Sequence, residues 1–155
     1  MNNKRYIELL VLLLISVSLN GCLNDLFSQK DLTYQDDPQL EFRPLNATEA
    51  EDAGAVEVLV QLIGPQQDSD IPISFSVNSS ETDAVEGTHY DLATSSPVTL
   101  AANSSAATIT INLNGTTLND GEFRTLVLTL NESNEIKPAE NLKTHTLIIE
   151  GVDGN

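Results

Sequence analysis

From residue 40 onward, apolar side chains recur at every second position. Side chains of a strand point alternately to its two faces, so a period of two means one dry and one wet face per strand. Val56, Val58, Val60 and Leu62 obey this rule, as do Ile71, Ile73, Phe75 and Val77. So do Ala107, Ile109, Ile111 and Leu113, then Leu126, Leu128 and Leu130, then Leu147 and Ile149. Shorter apolar runs at 40–42 and 98–100 complete the set. Gly64-Pro65, Asn103-Ser104-Ser105, Asn114-Gly115 and Asn119-Asp120-Gly121 lie between them and carry turn chemistry. The pattern predicts about seven short strands packed as two sheets. That is an all-β, immunoglobulin-like antiparallel β-sandwich over residues 39–155. The chain has a single cysteine, so neither an inter-sheet disulfide nor a cysteine-built zinc site is expected.

The front of the chain has a different character. Lys4 and Arg5 precede an apolar run over residues 9–19, and Leu19-Asn20-Gly21-Cys22 follows at once. Basic, then apolar, then small residues is the layout of a secretory signal. The run is well short of the roughly 20 apolar residues that cross a bilayer. Leu19, Gly21 and Cys22 resemble the lipobox of bacterial lipoproteins, with Asn20 as a departure. The resemblance implies cleavage before Cys22, a diacylglycerol on its thiol and a fatty acid such as palmitate on the new amine. Two or more acyl chains hold a protein firmly where one alone does not. The expected organisation is a signal peptide over 1–21, a lipidated N-terminus and flexible tether over 22–38, and the sandwich over 39–155. The expected location is the bacterial cell envelope, at the outer membrane, with the membrane as partner through acylated Cys22.

Charge narrows the partners. Seven Lys and Arg stand against 23 Asp and Glu, for a net charge of −16. Phosphate backbones need clustered cations, so nucleic acid is excluded as a partner. An anionic bilayer also repels such a body, which leaves the acyl chains to hold it. The chain is nonetheless 40% hydrophobic, too apolar for a disordered acidic tail.

Strands running antiparallel in order would place successive loops at alternate ends. Residues 44–54, 79–96, 114–122 and 151–155 then share the end remote from the tether, which collects most of the loop acids. Several runs in the domain resemble a Calx-beta domain. They are Glu51-Asp52-Ala53-Gly54 before a valine-rich strand, Glu86-Gly87-Thr88-His89-Tyr90, Val98-Thr99-Leu100, the strand over 106–113 and Leu126-Val127-Leu128-Thr129-Leu130. The resemblance covers residues 40–153. It implies Ca²⁺ at the loop end, since that hard ion takes six to eight oxygens. Glu51 matches the family's first acid, Glu81 its second and Asp153 its last. Gly115 and Thr116 stand where the family has an aspartate pair, His89-Tyr90 replaces Asp-Tyr, and Arg124 replaces an acid. The candidate metal ligands are Glu51, Asp52, Glu81, Asp83, Asp120 and Asp153, with no cofactor required.

Catalysis finds little support. No G-x-S-x-G, H-E-x-x-H or phosphate-cradling glycine loop occurs. His89-Tyr90-Asp91 cannot form a triad, because neighbours in an extended stretch face opposite ways. His145, in the last strand, is expected to be half-buried and hydrogen-bonded. A sugar platform would need exposed aromatics; there is no Trp, which leaves Tyr90 and Phe123 as the candidate ligand contacts. The expected function is a lipid-anchored, non-enzymatic module that binds, scaffolds or adheres through its distal loops, with a protein or glycan partner. The alternatives are a calcium-ordered version of the same module and a glycan-handling accessory lipoprotein.

Overall fold

Alternation becomes burial along each long strand. In the computed structural model, which describes residues 34, 36–115, 118–133 and 135–152, Val58, Val60, Ile109, Ile111, Leu126, Leu128, Leu147 and Ile149 are all at most 1% exposed. Each such side chain contributes roughly 1.5–3 kcal/mol by leaving water. The expected signal peptide, Cys22, the tether up to residue 33 and Asp153 lie outside the described residues. The chain divides into two units, Met1–Gln35 and Asp36–Asn155, and the strands of the described residues lie in the second.

Eleven strands occur among the described residues, and no helix. They are β1 (Gln39–Arg43), β2 (Asn46–Ala50), β3 (Ala55–Ile63), β4 (Ile71–Ile73), β5 (Phe75–Val77), β6 (Tyr90–Leu92), β7 (Val98–Leu100), β8 (Ala106–Leu113), β9 (Phe123–Leu130), β10 (Lys137–Pro138) and β11 (Thr144–Glu150). One sheet has the order β10-β1-β3-β8-β6, a second β2-β11-β9-β5, and β4 pairs with β7 as a small third. The all-β sandwich is as expected; the strand count and two of the pairings are not.

Four departures account for the difference. The run at 40–42 does not end in a loop. It passes Pro44 and becomes β2, which leaves the first sheet and pairs in parallel with β11, Asn46 opposite Thr146 and Ala50 opposite Glu150. The second parallel pairing is β10 on the edge of β1. The run 71–77 is two strands, because the chain changes sheets at Ser74: β4 pairs with β7 and β5 with β9. The switch keeps Ile71, Ile73 and Phe75 all buried, at 4%, 1% and 3% exposure. The expected loop 79–96 contains β6, which extends the first sheet beyond β8.

The β1–β2 crossover has a polar clasp. His145 of β11 is buried, and its Nδ1 donates to the Pro44 carbonyl at 2.7 Å. Its ring lies against Phe42, centroid to centroid 5.8 Å. Because Nδ1 carries the proton, Nε2 is left as a buried acceptor, and it has no hydrogen-bond partner among the described residues. Burial pushes the His145 pKa below its usual value, against the weaker upward pull of the Pro44 bond. The sequence expectation of a half-buried, hydrogen-bonded histidine is therefore exceeded in burial.

The strand directions set the two poles. Gln39, at the start of β1, sits opposite Ile63 and Lys137, whereas β2 ends beside Glu150 at the other pole. The chain thus enters the sandwich at one end and makes its first turn at the other.

Candidate functional site

The turn after β2 is the seed of the distal pole. Ala53 donates to the Ala50 carbonyl at 3.0 Å, and Gly54 closes the turn at φ 77°, a left-handed conformation that glycine adopts without a Cβ penalty. Backbone bonds then join this turn to the other loops of the same end. Glu51 N–H meets the Glu150 carbonyl at 2.8 Å, and Leu113 N–H meets Gly54 at 2.8 Å. Asn114 N–H meets His89 at 3.0 Å, and Gly151 N–H meets Glu122 at 2.9 Å. Asp83 and Ala84 both donate to the Thr125 carbonyl at 3.0 Å. Parts of the four loops expected at this pole meet there, around Glu51, Asp83, Asn114, Glu122 and Gly151, whereas Ser96 accepts from the Phe75 N–H toward the other end and 153–155 lie outside the described residues.

Its acids are used in different ways. Glu51 is 1% exposed, and its Oε2 accepts the Leu118 N–H at 3.0 Å. Asp83 is exposed, and its Oδ1 accepts the Thr125 N–H. Asp52, Glu81 and Asp120 are exposed, and Asp153 lies outside the described residues. Among the described residues, no three His, Cys, Asp or Glu side chains are arranged to hold a metal ion. Gly115, where the family resemblance implies an aspartate, is laid on the Glu51-Asp52 turn, so that a Cβ there would stand 3.2 Å from the Asp52 Cα. Arg124 is half-buried at the start of β9, with Nη1 donating to the Phe123 carbonyl at 2.8 Å. The described residues therefore do not fit the calcium set that the resemblance implied.

A shallow cleft of about 180 Å³ lies beside this turn, lined by Asp120, Gly121, Glu122, Phe123, Glu150 and Gly151. Glu122 accepts the Asn119 N–H at 3.0 Å, and bonds from Asn119, helped by nearby Arg124, hold its carboxyl below the usual carboxylate range. Phe123 is 58% exposed, so its ring is available at the cleft. Glu122 and Glu150 are not among the candidate ligands read from the sequence; the signal that could have found them is their place at the facing ends of the paired strands β9 and β11.

Tyr90 corrects an expectation. It is 3% exposed and belongs to the core, not to a ligand surface. The reason is β6: once residues 90–92 form a strand, alternation turns Tyr90 inward and Asp91 outward. Burial, then the charge of Glu86, raises the Tyr90 hydroxyl pKa. His89 is buried too, and its Nδ1 accepts the Val85 N–H at 2.8 Å, closing the turn before β6. Asp91 Oδ2 accepts instead from the Asn114 side-chain amide at 2.9 Å.

No protein-family model matches the sequence, and a search of curated proteins finds no match. Solved structures do resemble it. The apo form of the Calx CBD1 domain superposes with a TM-score of 0.63 at 18% identity, covering 76% of this chain and all of that one. The Calx CBD2 domain gives 0.60 at 12% identity, covering 72% and 85%. The calcium binding domain CBD12 of CALX1.1 gives 0.62 at 17%, and this chain covers 45% of it. The described domain thus has the fold of the Calx-beta domains, an immunoglobulin-like β-sandwich.

Proposed function

We propose that this chain is a lipid-anchored module of the bacterial cell envelope, held at the outer membrane by acylated Cys22, that binds or adheres through its acidic pole without catalysis. The observation that carries this reading is the polarity of the domain. Gln39 enters at one end, and the loops around Glu51, Asp83 and Glu122 gather at the other. Sixteen residues behaving as coil between Cys22 and Gln39 would reach on the order of 20 Å, which keeps the domain near its membrane with the acidic pole outward. The pole's open cleft, with Phe123 exposed among carboxylates, suits a protein or glycan partner better than an anionic one. The absence of catalysis is supported by the two histidines, whose Nδ1 atoms serve the backbone at Val85 and Pro44. Calcium binding at the same pole is the alternative, supported by the family resemblance at Glu51 and requiring its carboxylate to turn away from the Leu118 amide.

The anchor is tested by growing cells with an alkyne-bearing palmitate and comparing the chain with Cys22→Ser. Label on the former and none on the latter is the expected result. An unlabelled wild type would overturn the anchoring.

A further inference from the structure

Glu51 is the one buried acid among the described residues. A carboxylate out of water costs free energy unless its oxygens are hydrogen-bonded, so its placement calls for a structural reason. The backbone of Glu51 is pinned to β11 through the Glu150 carbonyl, and its Oε2 reaches the Leu118 N–H, 67 residues along the chain. Leu118 is itself 7% exposed, so its amide has little water to turn to.

Two close backbone approaches show how tightly this connection is seated. Gly115 rests on the Glu51-Asp52 turn, and a Cβ on Gly151 would fall 2.2 Å from the Asn119 carbonyl oxygen. Two of the pole's other acids repeat the Glu51 arrangement. Asp83 accepts from the Thr125 amide and Glu122 from the Asn119 amide. Each carboxylate takes a backbone donor at the start of, or just before, β9. A calcium site needs six to eight oxygens turned toward one point, and the carboxylates of Glu51, Asp83 and Glu122 are turned toward three separate amides.

We propose that the Glu51 carboxylate is the internal anchor of the β8–β9 connection, holding it against the end of β2 without a divalent cation. The acid that the resemblance aligned with a metal ligand then orders the same loop by direct hydrogen bonding. This assignment is independent of the acylation of Cys22.

The test is amide hydrogen exchange on the full chain in detergent, in EDTA and in millimolar CaCl₂, for wild type, Glu51→Ala and Glu51→Gln. Exchange at 118–122 in the wild type is expected to be equally slow with either additive. Glu51→Ala should speed it by about tenfold or more while β8 and β9 stay protected. Glu51→Gln keeps an oxygen acceptor and should fall between the two. Wild-type protection that appears only with CaCl₂ would overturn the proposal, as would unchanged exchange at 118–122 in Glu51→Ala. Should Glu51→Ala fail to fold, the wild-type pair and Glu51→Gln still decide.

Discussion

The segment that opens the sandwich, β1 and β2 together, is tied down by a buried polar side chain at two points, at the crossover between the strands and just past the end of β2. At the crossover, His145 of β11 donates to Pro44, where the chain passes from one sheet to the other. Past β2, Glu51 accepts from Leu118. Both side chains are 1% exposed, yet they answer different needs. The histidine stands beside Phe42 in the core and fixes a crossover between strands that the ladder already pairs. It behaves as a core ring with one polar edge. The glutamate acts where the ladders have run out, and the course of a long connection depends on it. Buried polarity in a strand interior adjusts a packing that apolar burial would hold anyway. At a strand end it substitutes for that packing.

The largest expected effect follows from this contrast. Glu51→Ala removes an acceptor from a buried amide and leaves a cavity, and should lower stability by about 3 kcal/mol in urea unfolding. His145→Phe keeps the ring and orphans only a carbonyl, which should cost about 1 kcal/mol. If the histidine variant proved the weaker of the two, the contrast between crossover and strand end would be broken. Gly151→Ala sharpens it from the opposite side of the connection. The added Cβ meets Asn119 backbone, which cannot swing away as a side-chain tip could, so a loss of about 2 kcal/mol is expected by the same unfolding assay. A neutral Gly151→Ala would mean that the connection shifts freely and that the Glu51 bond does little to fix it.

The parts of this fold that could be read from the sequence are those where side-chain period and backbone pairing coincide. β3, β8, β9 and β11 are long enough for alternation to be counted, and their inward residues are the core. β2 was illegible because Asn46-Ala47-Thr48-Glu49-Ala50 has no large apolar residue; its order comes from hydrogen bonds to β11. The break at Ser74 was illegible for the converse reason. Ile71, Ile73 and Phe75 keep the period of two straight through the switch, since all three still point into the same core. In the candidate site, the meeting of parts of four loops at one pole was legible from alternating strand directions, although the all-antiparallel order behind that reading fails at β2 and β10. The orientation of single residues did not. Tyr90 was assigned outward because a three-residue strand leaves too short a pattern to detect, and the inward turn of Glu51 depends on Leu118, a partner no local pattern reveals.

The two ties should also part company in acid, and this is the smallest of the expected effects. A histidine ordinarily titrates near 6.5, and burial holds His145 below that in the folded state. The unfolded chain therefore binds a proton that the folded chain refuses, and stability rises with pH across this window. The His145 share is complete above about pH 6.5 and is lost as the pH falls through the lower folded value. Charging the ring would give Nε2 a proton with no acceptor among the described residues to receive it. Among the described residues no charged neighbour offsets this, for Glu41 and Arg43 flank the inward Phe42 on the opposite face of β1, and Lys143 is paired with Glu140. Unfolding in urea between about pH 7.5 and about pH 5 should show a steeper loss for wild type than for His145→Gln, whose amide can still donate to Pro44 and does not titrate. Parallel curves for the two proteins would mean that the histidine accepts its proton in place, and that its burial is less complete in solution than the crossover geometry requires.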